Sequence, residues 1–338
     1  MMMMKAARSV SKLWNGGVVR LWRRYGVFWL LPLALSAQEV SAQTPFRFPA
    51  LYFMDTVRSL GTGGANYAVP QEGEPPPFER DLSILLNNDV LAFYGHPNSV
   101  KMGILGRYSI EALDARLTKL AAEYRAVNGG RGVRKAFYII FGTVWPQGEI
   151  GIINEQLLMN YINYGLSHDI LVFIDHQIGR YNPADAVKRM LPFLQYPNVH
   201  LALDPEWRTT KPMQEIGTVT AEELNQVQKV MEEYLTAHQI PGERMLVIHQ
   251  FNWRMIQNRE QVRTNFRRVR LVHCADGFGP PHLKRDSYAF NAQAVNMPVK
   301  GFKLFYNFNI PGAGYDNPLL TPKQVYELNP RPYVIMYQ

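Results

Sequence analysis

The chain holds a single cysteine, Cys274, in 338 residues, so no intramolecular disulfide can form and stability must come from a packed core. Cys274 lies in the apolar run Leu271-Val-His-Cys-Ala275, where a small buried thiol is the expected state. After residue 42 no apolar run reaches the ~18 residues that a spanning helix needs. No His-x-His or His-Glu-x-x-His spacing occurs, which weighs against a metal site built on His96, His176, His249 and His273. A phosphate-binding glycine turn is also missing. Gly61-Thr-Gly-Gly64 runs on to Pro70 and Pro75-Pro-Pro77 rather than into a helix, and reads as a loop. No cofactor is expected.

One sign of charge dominates only at the N-terminus. The formal charge is +8, and residues 1–42 supply +5 of it, from Lys5, Arg8, Lys12, Arg20, Arg23 and Arg24 against Glu39. The remaining +3 is too thinly spread to suggest a nucleic-acid partner. The basic stretch precedes the short apolar run Tyr25–Ser36 and the small residues Val40-Ser-Ala42, the order of a secretory signal. The mature chain is therefore expected in the periplasm or outside the cell, with an uncleaved N-terminal anchor as the alternative. No cysteine near the cleavage region is available for lipid attachment. Nothing in the chain speaks to oligomeric state.

With 47% hydrophobic and 12% aromatic residues the chain can build a large core. Residues 43–88 are rich in Pro and Gly and read as an extension that packs on the main domain. From residue 89 short β-rich runs alternate with helix-length amphipathic stretches. The runs are Val90–His96, Ala136–Val144, Ile170–His176, Val199–Glu206, Arg244–Gln250, Arg268–Asp276, Gly301–Phe308 and Tyr333–Tyr337. Helices are expected from Ser109, over Asn154–Ser167, Ala184–Leu194, Thr220–His238, Asn252–Thr264 and Leu283–Ala294. Eight such units over residues 89–338 predict a (β/α)8 TIM barrel. No residues follow strand eight to form its outer helix, and the extension is expected to fill that gap.

Polar residues gather at the strand ends, where a TIM barrel keeps its chemistry. Asp175, Asp204, Glu206 and Asp276 are the candidate catalytic residues. His96, Trp145, Trp207, His249, Gln250, Tyr306, Asn307 and Tyr337 are the candidate substrate-binding residues. In Leu201-Ala-Leu-Asp-Pro-Glu206 a period of two turns Asp204 and Glu206 inward with Ala202. Adjacent carboxylates raise each other's pKa, which suits protonation of a glycosidic oxygen. The competing reading makes Asp204 a loop cap and pairs Glu206 with Arg208 or Arg180. Lys303, a possible Schiff-base amine, is expected early in its strand and away from the rim.

Phe93-Tyr-Gly-His-Pro97, Met102-Gly-Ile-Leu-Gly106, Leu203-Asp-Pro-Glu-Trp207, Val247-Ile-His-Gln-Phe251 and Asp276-Gly-Phe-Gly279 together resemble a group of largely uncharacterised exported bacterial proteins, often labelled lipoproteins, with glycosidase-like barrels. More distantly, Asp204-x-Glu206 is similar to the chitinase and lysozyme-type barrels, where such a glutamate is the acid. The longer upstream aspartate series of chitinases is missing here, and strand seven ends Phe305-Tyr-Asn307 without the glutamate of many retaining barrels. The resemblance implies a glycoside hydrolase acting on a cell-envelope or extracellular polysaccharide. A metal-dependent hydrolase using His96 and His249, and a non-catalytic saccharide-binding barrel, are the alternatives.

Overall fold

The computed structural model describes residues 83–338; the expected signal and nearly all of the 43–88 extension lie outside the described residues. Eight parallel strands form the core: β1 (Asn88–His96), β2 (Gly132–Val144), β3 (Ile170–Gln177), β4 (Val199–Asp204), β5 (Arg244–Gln250), β6 (Val269–Ala275), β7 (Lys300–Leu304) and β8 (Val334–Tyr337). Each pairs with the next, and β1 pairs in parallel with both β2 and β8, from Val90 opposite Val334 to Phe93 opposite Tyr337. The sheet closes on itself, and the chain is a (β/α)8 barrel.

Alternation along the strands sorts the side chains into two cores. Val90, Ala92, Tyr94, Ala136, Tyr138, Leu171, Phe173, Ala202, Met245, Val247, Val272 and Cys274 fill the interior. Leu91, Phe93, Phe137, Val172, Leu201, Leu203, Ile248 and Leu271 face outward against the helices. The helices are α1 (Ile110–Arg125), α2 (Glu155–Ser167), α3 (Pro183–Lys188), α4 (Ala221–Ala237), α5 (Pro281–Ala292) and α6 (Pro322–Tyr326). Their starts follow local chemistry: Ser109 and Asn154 accept N–H groups of the first turns, and Thr220 with Glu223 forms a full capping box. Among the described residues no helix is long and apolar enough to cross a membrane.

Several expectations are corrected. Residues 252–264 do not form a helix. The segment instead holds two 3-10 turns, Trp253–Met255 and Arg259–Gln261, around Ile256–Gln257, which pairs with Val219–Thr220, and Asn225 and Gln228 of α4 bond its backbone at Gln261 and Arg263. The expected helix 184–194 divides into α3 and a 3-10 turn, Leu191–Gln195, with Pro192 inside it. Strand β4 stops at Asp204, and Glu206 sits in the 3-10 turn Pro205–Trp207. Strand β7 stops at Leu304 rather than Phe308. Residues Ile84 and Leu85, in the short helix before β1, join the interior cluster.

The N-terminal end of the barrel is tied by Asp89, which is 1% exposed. Its carboxylate accepts from Arg131 Nε at 2.9 Å and Tyr326 Oη at 2.8 Å, and also from Arg331. One acid thus joins β1 to the loop before β2, to α6 and to the loop before β8. Asp89→Ala would leave two guanidinium groups without their counter-ion and should cost about 3 kcal/mol of stability. Urea denaturation measures this; a loss within experimental error of zero would show that closure does not depend on Asp89.

Candidate active site

Seven side chains meet inside the C-terminal end of the barrel: Tyr94 (β1), Tyr138 (β2), Asp175 (β3), Asp204 (β4), His249 (β5), Asp276 just past β6, and Lys303 (β7). All are buried, none more than 5% exposed. Each is placed by strand alternation. Asp175 follows Phe173, Asp204 follows Ala202, His249 follows Val247 and Asp276 follows Cys274, all on the inward face. Glu206 lies half-buried in the turn above Asp204, whose Oδ1 accepts the Glu206 N–H at 3.3 Å. The loop-cap reading of Asp204 is thus realised. The rim pairing of Glu206 is not: Arg208 pairs with Glu223 and Arg180 with Glu149.

His249 is the hub. Its Nε2 shares a hydrogen bond of 2.8 Å with Tyr138 Oη and lies 3.8 Å from Asp175 Oδ2. Its Nδ1 lies 3.2 Å from Asp276 Oδ2, at ion-pair distance but without the alignment of a hydrogen bond. Tyr94 Oη donates to Asp175 Oδ2 at 3.0 Å. Tyr138 is held flat against Phe173, with ring centroids 5.1 Å apart and planes 10° off parallel. The aromatic floor therefore fixes the imidazole, and the imidazole fixes the acids.

The acids are driven apart in protonation. Burial raises the Asp175 carboxyl, against the pull of His249 and Lys303. Burial lifts Asp204 to about 7, with Asp276 and Asp175 adding to it and His249 opposing. Burial, then Asp204 and Asp276, pushes Glu206 well above the usual carboxylate range. Burial also acts to raise Asp276, but the neighbouring His249 and Lys303 outweigh it and hold that carboxyl below its ordinary value. For His249 burial opposes the charged ring, yet Asp276, Cys274 and Asp175 prevail and raise it well above its ordinary value. One acid is thus held below its ordinary value among acids whose values are raised.

The other candidates fall elsewhere. Gln250 faces away from the interior, with Oε1 2.8 Å from His273 Nε2 and Nε2 donating to Asn252 O. Tyr337 also faces outward, 2.8 Å from Tyr124 Oη of α1. Tyr306 stacks on Tyr337, with centroids 5.2 Å apart, and the exposed Asn307 accepts the Asn309 N–H. His96 is half-buried at the last position of β1, where Nδ1 accepts the Asn98 N–H. Trp145 stands 58% exposed after β2, and Trp207 is half-buried beside Glu206. His176 packs against Phe141 and His273 against Lys300, both outside the interior. Cys274 is a buried free thiol of the interior core. Among the described residues no three His, Cys, Asp or Glu side chains are placed to hold a metal ion.

Three members of the ring were not picked out as site residues from sequence. Tyr94 and Tyr138 carry a readable signal, since alternation from Ala92 and Ala136 turns them inward. Lys303 is not early in a long strand but one residue from the end of a five-residue β7, which brings its amine into the ring.

No family model matches the chain, and no curated protein matches it. Solved structures that resemble it include a chitinase from Chromobacterium violaceum, 14% identical over 64% of this chain and 68% of that one, with a TM-score of 0.36. Concanavalin B is 10% identical over 76% and 94%, with a TM-score of 0.43. The xylanase and alpha-amylase inhibitor protein XAIP-II from Scadoxus multiflorus is 10% identical over 74% and 92%, with a TM-score of 0.40. At these values the likeness concerns the barrel and assigns no residue a role.

The Asp204 carboxyl gives a signed test. The unfolded chain ionises it near 3.8, whereas the fold keeps its proton to about 7. Between those values the native state binds more protons, so this group's contribution is fullest below the lower value and is lost as pH rises through the upper one. Asp204→Asn should therefore gain stability relative to wild type as pH rises from 4 to 7.5, by up to about 4 kcal/mol at 1.36 kcal/mol per unit. Urea denaturation at both pH values is the measurement. A wild-type-to-variant difference that stays constant with pH would mean that Asp204 ionises alike in both states.

Proposed function

We propose that the protein is a glycoside hydrolase acting on a cell-envelope or extracellular polysaccharide. The reading rests on one observation: Asp204, Glu206 and Asp276 stand together at the C-terminal end of a closed barrel, two driven toward the protonated form and one held ionised. Glycosidic cleavage needs that division, an acid to protonate the leaving oxygen and a carboxylate to meet the positive charge that develops on the sugar. Glu206, half-buried at the mouth, is the proton donor. Asp276, aligned by His249, supplies the negative charge, and Asp204 sets the Glu206 turn through its N–H. Tyr94 and Tyr138 hold Asp175 and His249 in place. Trp207 beside Glu206, and the exposed Trp145, offer ring faces for sugar stacking.

Export belongs to the same reading. Residues 1–42 act as a signal, and the mature protein meets its polysaccharide outside the cytoplasm. N-terminal sequencing of protein recovered from periplasm or medium should begin near Gln43. Recovery of intact Met1 in a membrane fraction would show an anchor instead.

Glu206→Gln should lower kcat on a responsive polysaccharide by roughly a hundredfold or more, the range for a lost general acid. In wild type kcat/KM should fall on the alkaline side as Glu206, held well above the usual carboxylate range, loses its proton, and Glu206→Gln should remove that limb. Screening reducing-end release on a polysaccharide panel measures both, and a Glu206→Gln enzyme that keeps the full rate rejects the assignment.

A further inference from the structure

Lys303 is 4% exposed. Its Nζ lies 3.7 Å from the centre of the Tyr94 ring and 5.1 Å from that of Phe305. Among the described residues it has no hydrogen-bond acceptor and no carboxylate within ion-pair distance, although four acids share its end of the barrel. Two of those acids already have close partners, since Asp276 pairs with His249 and Asp175 takes the Tyr94 hydroxyl. Asp204 holds the Glu206 N–H. A ring face offsets part of an ammonium's desolvation but supplies no counter-charge.

The ammonium is also misplaced for the reaction proposed above. Glycosidic cleavage builds positive charge on the sugar, and an ammonium beside it that no carboxylate contacts directly opposes that charge. The conflict disappears when the substrate itself brings an anion to the amine. We infer that Lys303 is a binding site for a carboxylate on the substrate, so that the sugar placed in the barrel is a uronic acid. This rests on the hydrolase reading for its catalytic half and on the amine's surroundings for its binding half.

The surface beside Lys303 extends the site. Phe305, whose ring centre lies 5.1 Å from the Lys303 amine, also lines an open pocket together with Lys101, Tyr306, Asn307, Ile310 and Tyr315. The pocket lies on the rim between the hairpin that follows β1 and the loop that follows β7. It is lined by a second amine, Lys101, and by Tyr306 and Tyr315. A chain of successive uronic residues offers carboxylates to both amines and apolar ring faces to Tyr306 and Tyr315.

The test is calorimetry on Glu206→Gln, with wild type in parallel, using tetrasaccharides of galacturonate, mannuronate and glucuronate and their carboxyl-reduced counterparts. At least one acidic member should bind roughly tenfold or more tighter than its reduced form, the preference shrinking as salt is raised. Lys303→Met should abolish the preference while leaving binding of the reduced sugar unchanged, and Lys101→Ala should weaken it in part. Equal binding of acidic and reduced forms, preference for the reduced forms, or no binding of any acidic member overturns the inference. If Lys303→Met does not fold, the matched pairs on the Glu206→Gln protein still decide. Acid-selective binding without hydrolysis by wild type rejects the hydrolase reading and leaves this site standing; hydrolysis confined to neutral glycans does the reverse.

Discussion

Charge buried in a closed barrel has nowhere to go for solvent, and that constraint organises the functional end of this protein. Strand alternation sends every second residue inside whether it is apolar or not. From the N-terminal end up to Cys274 the inward residues are mostly apolar and cost little to bury. At the next level they become Asp175, Asp204, His249, Asp276 and Lys303, and burial then sets their chemistry. Where a positive neighbour outweighs burial, as at Asp276, the acid's value falls, and where burial wins, as at Asp175 and Asp204, it rises. Asp276 and Asp204 share one interior, yet the first is held below its ordinary value and the second lifted to about 7, because His249 stands nearest to the first.

The two ends of the barrel handle acids differently. Asp89 is as buried as Asp175, but it accepts from two guanidinium groups and a phenol whose outer parts reach solvent. Every oxygen of that carboxylate has a partner. At the opposite end Asp175 Oδ1 and Asp276 Oδ1 have none among the described residues. A satisfied acid is a structural tie, whereas an unsatisfied one stores free energy that a ligand can recover. The asymmetry between these ends is a physical basis for placing chemistry at one and closure at the other, independent of any likeness to other barrels.

The barrel was legible in the sequence because strands buried on both faces read as apolar runs, and because the helix starts at Ser109, Asn154 and Thr220 carry capping residues that act locally. The acids were legible for a related reason: a carboxylate ending an apolar strand has few alternatives to a wet or paired position. What failed was direction. Choosing polar residues by nearness to a strand end takes in both faces, so Gln250 was grouped with His249 although adjacent residues point oppositely. Tyr337 was grouped with the site while Met336 is the residue facing inward. Counting by two from Ala92, Ala136 and Gly301 leads instead to Tyr94, Tyr138 and Lys303. Segment 252–264 failed differently, since its conformation is set by Asn225 and Gln228 on a distant helix and by no local pattern.

The same counting explains why Lys303 lies at the centre of the ring. Register sets its level: Lys303 stands opposite Met336 of β8, and Phe302 opposite Ala275 of β6. Just beyond, Asp316 Oδ2 accepts the Phe305 N–H while Oδ1 accepts the Gly279 N–H from the loop after β6. The pairing with the chain after β8 continues past Leu304, whose carbonyl accepts the Gln338 N–H while the Tyr306 N–H donates to Gln338 O. Lys284 completes the arrangement, lying 3.3 Å from Asp316 and donating to the carbonyls of Gly277 and Lys303. A buried ion pair outside the ring thus holds the chain just past Lys303, and the register of β7 decides which inward residue joins the ring.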